Sequence, residues 1–199
     1  MRLKLFAGLT FAALFVVAAY PTSAQAVPAA AESNLPLAIG AGFSNFDPDW
    51  NTGRMNGGGL WIDYPPRHMP LFLSGLGFEI EAHDISVGPS SSQPSNLRED
   101  TAGAGLIYSW RHFSKFHPYV KGLGEFGSID FHSINPHYNH DTRTIAVVGA
   151  GVDYRVFRRI WVRGDYEYQH WGDFLSTQKA QPNGFTAGVS YHFGMRRFH

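Results

Sequence analysis

VVGAGVDYRVFRRIWVRGDYEYQHW, residues 147–171, decides the fold. Its first part belongs to a run from Thr142 that sets Ala146, Val148, Ala150, Val152 and Tyr154 against Arg143, Gly149, Gly151, Asp153 and Arg155. After VFRR, a second run sets Ile160, Val162, Gly164, Tyr166 and Tyr168 against Trp161, Arg163, Asp165, Glu167 and Gln169. Successive side chains of a strand point to opposite faces, so each run reads as a strand with one apolar and one polar, charged face. The short VFRR connector makes the two strands antiparallel neighbours.

The same theme continues outward in both directions. PYVKGLGEF (118–126) places Val120 and Phe126 opposite Lys121 and Glu125, with Leu123 breaking the pattern. TAGAGLIYSWR (101–111) places Ala102, Ala104, Leu106, Tyr108 and Trp110 opposite Thr101, Gly103, Gly105, Ser109 and Arg111, with Ile107 as the exception. SGLGFEIEAH (74–83), NGGGLWIDY (56–64) and LAIGAGFSNF (37–46) alternate likewise, and FTAGVSYHF (185–193) is the eighth run. PPRHMP, FSKF and VFRR read as tight connectors, whereas DPDWNTGR, SVGPSSSQPSN, HSINPHYNHD and GDFLSTQKAQPNG are longer and rich in turn formers. Strand, long loop, strand, short turn, repeated, predicts an all-β, eight-stranded antiparallel up-and-down barrel. An even strand number puts both ends of the chain on the short-turn side.

Composition narrows the function classes. The 199 residues suffice for one domain. Lys plus Arg and Asp plus Glu are each 16, which offers no electrostatic grip on nucleic acid. There is no cysteine, hence no disulfide framework, thiolate metal site or Cys nucleophile. Arg2 and Lys4 precede the apolar run LFAGLTFAALFVVAAY, and small residues follow at Ala24 and Ala26. Residues 1–26 therefore read as a secretory signal peptide cut after Ala26. The expected organisation is a signal peptide at 1–26, a short leader at 27–34, a barrel at 35–195 and a basic tail at 196–199.

The faces decide the solvent. The polar face carries Glu79, Glu81, Arg111, Lys121, Glu125, Arg143, Asp153, Arg155, Arg163, Asp165 and Glu167. Over the same spans the apolar face carries no Asp, Glu, Lys or Arg. Runs of about 10 residues match a tilted strand crossing a bilayer. Only a closed barrel satisfies all backbone hydrogen bonds in lipid without helices. Tyr108, Trp110, Tyr154, Tyr166, Tyr168, Tyr191 and Phe193 lie near strand ends, as interfacial girdles do. The apolar face is thus expected to meet lipid, making this a transmembrane barrel. Its lumen would hold five basic and six acidic residues, a near balance, and would be plugged by them with Trp61 and Trp161. The alternatives are a narrow channel or a secreted carrier barrel with a small ligand inside.

HPYVKGLGEFG (117–127), residues 147–171 and TAGVSYHF (186–193), in that order, resemble the small outer-membrane β-barrel proteins of Gram-negative bacteria, the opacity-type and outer-membrane-protein-A-like surface antigens. The resemblance implies export through the periplasm to the outer membrane and contact with outer-membrane lipids and lipopolysaccharide. It also implies that the barrel assembly machinery reads Thr186, Gly188, Tyr191 and Phe193 in the last strand. GMRRFH follows Phe193, where the family pattern stops, so Phe198 is the rival terminal aromatic. No peptidoglycan-binding domain is expected after the barrel. A structural or surface-interaction role, in envelope integrity or adhesion, would fall to the loops at 47–53, 85–97, 131–140 and 172–182, with an unknown extracellular partner.

Catalytic and cofactor chemistry finds little footing. His132, His137 and His140 share one loop, and His83 and His170 read as ending at that rim, but no spacing matches a metal motif. Ser176 with His170 and Asp173, and Ser133 beside His132, form no triad signature. The expectation is no enzyme, no cofactor, no metal and no nucleic-acid partner.

Overall fold

The structure, a computed structural model, describes residues 36–49, 53–66, 69–70, 73–87, 97–112, 114–130, 140–174 and 178–193. Their strands are β1 (Ala38–Asp47), β2 (Met55–Tyr64), β3 (Leu76–Val87), β4 (Leu97–Ser109), β5 (Phe116–Asp130), β6 (His140–Arg155), β7 (Ile160–Phe174), β8 (Gln178–Ala180) and β9 (Asn183–His192). The long strands pair in the order β6-β5-β4-β3-β2-β1-β9-β7, and β6 pairs with β7 to close the ring. All these pairings are antiparallel. β8 pairs only with the end of β7, at Trp171 and Phe174, before β9 takes over that partner. Pro182, with no N–H to donate, lies in the gap. The wall is therefore a closed barrel of eight long strands.

Alternation sets the faces. On β7, Trp161, Arg163, Asp165, Glu167 and Gln169 are buried, while Val162, Tyr166 and Tyr168 are exposed. Ile39, Phe43, Leu60, Ile62, Phe78, Ile80, Leu106, Val120, Val148 and Val189 are likewise exposed. A charge-free apolar belt thus faces outward. Aromatics border it near the short turns, with Tyr64, Trp110, Phe116, Tyr154 and Tyr191, and again nearer the loops, with Phe126, Tyr168 and Phe185. Among the described residues no helix is long and apolar enough to cross a membrane; crossing by strands is a separate matter.

Two breaks in the sequence pattern are explained by this parity. Ile107 and Leu123 share the inward face with the charges, and both are buried in the lumen. Inward glycines make room for bulky lumen groups. A Cβ at Gly40 or Gly188 would collide with the Trp61 ring, and one at Gly127 with Trp171.

The connectors differ from their sequence reading. β3 continues to Val87 and β4 starts at Leu97, so 85–87 and 97 are wall rather than loop. Likewise β5 reaches Asp130, β6 starts at His140, and β7 runs to Phe174. PPRHMP is not a tight turn: residues 65–75 separate β2 from β3, where several prolines prevent continued pairing. The expected signal peptide with Ala24 and Ala26, the leader at 27–34, Ser133, Ser176, Phe198 and the tail at 196–199 lie outside the described residues.

Candidate functional site in the barrel lumen

The lumen is filled in layers. Nearest the short turns, Trp161 stacks on His192 with ring centroids 4.7 Å apart and lies 4.7 Å from the His117 ring. Above it Arg163, 2% exposed, makes four hydrogen bonds to carboxylates. Nε and Nη2 donate to the two oxygens of Asp153 at 2.9 and 3.0 Å. Nη1 donates to Glu79 Oε2 at 2.7 Å, and Nη2 also to Asp63 Oδ2 at 2.6 Å. Its guanidinium carbon lies over the Trp61 and Tyr119 rings, 4.9 and 4.8 Å from their centroids. This is how a guanidinium is held in a dry site: forked hydrogen bonds to carboxylates and aromatic rings close enough for cation–π contact.

Lys121 forms the next centre. Its Nζ contacts Glu81, Asp165 and Glu167, and reaches Glu79 Oε1 at 3.2 Å. Glu79 therefore bridges the two cationic centres. His83 lies above, with Nε2 3.0 Å from Glu81 Oε1 and 3.6 Å from Glu167 Oε2. Its Nδ1 is 3.0 Å from Ser44 Oγ, which is 2.9 Å from Thr186 Oγ1.

Toward the loops the filling changes character. Phe46, Met55, Ile85, Leu97, Leu123, Ile129, Ile145, Val147, Trp171 and Ala180 form one buried apolar cluster. Phe46 closes over His83, with ring centroids 5.3 Å apart. Trp171 Nε1 donates to Gln169 Oε1 at 2.9 Å, which satisfies the indole inside the cap.

Of the charges expected in the lumen, Glu79, Glu81, Lys121, Glu125, Asp153, Arg163, Asp165 and Glu167 are buried there. Arg111, Arg143 and Arg155 are not part of this network. Arg111 is exposed in the turn beyond β4, because that strand ends at Ser109. Arg143 is exposed above the apolar cap and pairs with Asp141 at 3.2 Å. Arg155 ends β6, half-buried, with its guanidinium 5.9 Å from the Trp161 ring centroid. Parity names the face but not the height, and these three lie at strand ends, where the inward face meets water. Sequence reasoning passed over two further buried acids, Asp63 and Glu99. Asp63 was legible from its parity beside Trp61, whereas Glu99 lies in the stretch just before the run read from Thr101. Among the described residues the buried set is consequently unbalanced: Asp63, Glu79, Glu81, Glu99, Glu125, Asp153, Asp165 and Glu167 face Lys121 and Arg163.

The histidine rim also differs from its reading. His83 points inward and is buried, whereas His170 is exposed on the outer wall, so the two cannot share a ligand. His132 and His137, and the side chains of His140 and Asp173, lie outside the described residues. In the last strand Thr186 and Gly188 face inward and Tyr191 outward; Phe193 follows the strand end, half-buried.

The closed antiparallel barrel has many structural counterparts. Residues 9–193 match the outer membrane protein beta-barrel domain. The chain belongs to that family. Its place is accordingly the bacterial outer membrane. Neisserial surface protein A shares the fold at a TM-score of 0.56 and 18% identity, covering 80% of this chain and 97% of that one. The attachment invasion locus protein Ail of Yersinia pestis, solved with the heparin analogue sucrose octasulfate, matches at 0.54 and 17%, covering 79% and 97%. OprG from Pseudomonas aeruginosa matches at 0.56 and 13%, covering 81% and 97%. Among curated proteins, no sequence matches this one. At these identities the solved structures speak for the fold.

Proposed function

We propose that this outer-membrane barrel has a structural or surface-interaction role, in envelope integrity or adhesion, exerted through the loops at 48–54, 88–96, 131–139 and 175–177. The observation that carries this reading is the filled lumen. Arg163 and Lys121 tie carboxylates from β2, β3, β6 and β7 across the interior, and the apolar cluster closes the loop end. An eight-stranded barrel has an interior only wide enough for its own side chains, so little room is left for solute. Function then falls to the parts that project from the wall.

In this reading residues 1–26 export the chain with cleavage after Ala26. The outer belt contacts lipids and lipopolysaccharide, and an unidentified partner meets the loops. Thr186, Gly188, Tyr191 and Phe193 serve the barrel assembly machinery, so truncation after Phe193 should leave insertion intact, as read by heat-modifiable gel mobility. Loss of insertion would transfer the role to Phe198.

The deciding experiment joins conductance to surface binding. Purified barrel in planar bilayers should give no stable currents of porin size. Cells whose barrel carries Gly-Ser replacements of the four loops should keep the folded barrel yet lose adherence or envelope resistance. Steady porin-size currents would favour the channel, and recovery in a detergent-free soluble fraction would favour the carrier.

A further inference from the structure

The Glu81–His83–Glu167 triangle sits directly under the apolar cap, and its polar groups are arranged in a way hydrogen bonding alone leaves incomplete. One ligand atom from each residue lies within 4.8 Å of the others, and all three residues are buried. The division of labour within the two carboxylates is regular. Glu81 gives Oε2 to Lys121 and turns Oε1 to His83. Glu167 gives Oε1 to Lys121 and turns Oε2 to His83. Lys121 thus holds both carboxylates from one side and leaves one oxygen of each converging on Nε2. Two carboxyl oxygens and a ring nitrogen can converge this closely when a proton is shared among them or when a metal ion lies between them.

We propose that the lumen binds one divalent first-row metal ion, with Zn²⁺ as its representative, between Glu81, His83 and Glu167. Four features of the surroundings suit a metal ion at this point. The first is spacing: Nε2 lies 3.0 and 3.6 Å from the two oxygens, bracketing the ~3.3 Å ligand–ligand separation of a tetrahedral Zn²⁺ site. The second is outer support. Nδ1 faces Ser44 Oγ, itself braced by Thr186, the kind of partner that fixes a metal-binding imidazole with Nε2 forward.

The third is a pair of unpartnered acids beside the triangle. Both carboxylate oxygens of Glu99, 0% exposed, and of Glu125, 1% exposed, lack any hydrogen-bond partner. The Glu125 side chain lies over Gly103, the residue opposite Glu81 in the β3–β4 register. Glu99 points inward from β4 one row above Thr101, which lies opposite His83. Each is placed to complete the coordination or to balance its charge. The fourth is the surplus itself. Eight buried carboxyl groups face Lys121 and Arg163 among the described residues, and each needs a proton or a cation to neutralise it in a dry interior. One nitrogen with carboxylate oxygens is a donor set that suits Zn²⁺ or Mn²⁺ rather than a soft ion. None of the loop histidines is in the proposed ligand set.

The test uses the full mature chain, purified folded in detergent and stripped with chelator. Co²⁺, a visible-absorbing stand-in for Zn²⁺, is added after folding and, in parallel, during refolding, since the triangle is closed to solvent. The expected result is one equivalent of Co²⁺ with ligand-field bands, displaced by Zn²⁺, and a rise in the heat-modifiable melting temperature. His83→Gln should weaken uptake at least tenfold, while a triple change of His132, His137 and His140 to Ala should leave it unaltered. Absence of stoichiometric bands in the wild-type chain would assign the triangle to a proton and overturn the proposal. Bands that survive His83→Gln, or vanish in the loop variant, would also overturn it. If His83→Gln fails to fold, the wild-type titration and the loop variant decide between them.

Discussion

On β3, Ile80 and Ala82 look outward while Glu79, Glu81 and His83 look inward; four residues further along, Asp84 and Ser86 look outward while Ile85 looks inward. The same exchange occurs around the barrel. On β1 the outward Phe43 gives way to Asn45 and Asp47, and the inward Ser44 to Phe46. On β5 the outward Phe126 gives way to Ser128 and Asp130, and the inward Glu125 is followed by Gly127 and then Ile129. Below this boundary the wall is apolar outside and charged inside, as lipid requires. Above it the wall is polar outside and largely apolar inside, with Glu99, opposite Ile85, as the inward acid. On the outer face there, Arg98 pairs with Asp84 at 2.9 Å and with Asp100 at 3.2 Å, all well exposed. One barrel thus holds two kinds of interior, and the change of solvent outside dictates the change of filling inside.

The largest expected effect tests the lower interior. Arg163→Ala leaves Asp63, Glu79 and Asp153 without their shared cation and should cost about 3–5 kcal/mol, read from the loss of heat-modifiable mobility with urea. Replacing the set together (Arg163→Met with Asp63→Asn, Glu79→Gln and Asp153→Asn) should recover most of that loss, because no charge is then stranded. If the combined variant is as unstable as the single one, packing of the guanidinium against Trp61 and Tyr119 matters more than its charge.

The upper interior should respond differently. Trp171→Ala opens a cavity among Phe46, Ile129 and their neighbours and should cost about 3 kcal/mol. Trp171→Phe should recover part of this, and changes of charge elsewhere in the lumen should recover none. A Trp171→Ala barrel as stable as the wild type would mean that the cap is loosely packed and that the two interiors do not differ as described.

Which parts of this arrangement could be read from the sequence follows from what alternation encodes. A two-residue period fixes which face a side chain joins, so the belt, the inward Trp61 and Trp161 and the acids of β3 and β7 were all legible. It does not encode height along the barrel axis, which is set by register between strands distant in sequence. Arg163 and Arg143 share the inward parity and residue type, yet one lies in the plug and the other stands exposed above the cap. The boundary between the two interiors also hid strand ends. Ile85 and Leu97 looked like loop because the alternation changes sign there, so the apolar positions switch faces although the strand runs on. Leu123 and Ile107 were the visible traces of inward apolar filling, and they appeared only as faults in a pattern.

The outer face offers the finest test of where the boundary lies. Ile80 is 56% exposed at the middle of β3, and Ser86, six residues along on the same face, is exposed beyond Asp84. Both side chains leave the wall in the same direction, so neither substitution touches the lumen. Ile80→Arg puts a charge in the hydrocarbon region and should cost about 2–4 kcal/mol, as charges near the midplane of such barrels do. Ser86→Arg puts the same charge where Arg98 already stands in water and should stay within about 0.5 kcal/mol of wild type. Both are read in lipid vesicles by the same urea titration. An Arg scan at 82 and 84 between them should show the cost falling steeply over one or two outward positions, since the dielectric changes there and the strand does not. A cost at Ser86 equal to that at Ile80 would place the membrane surface above the switch in alternation, and the exchange of interiors would then need a cause other than solvent.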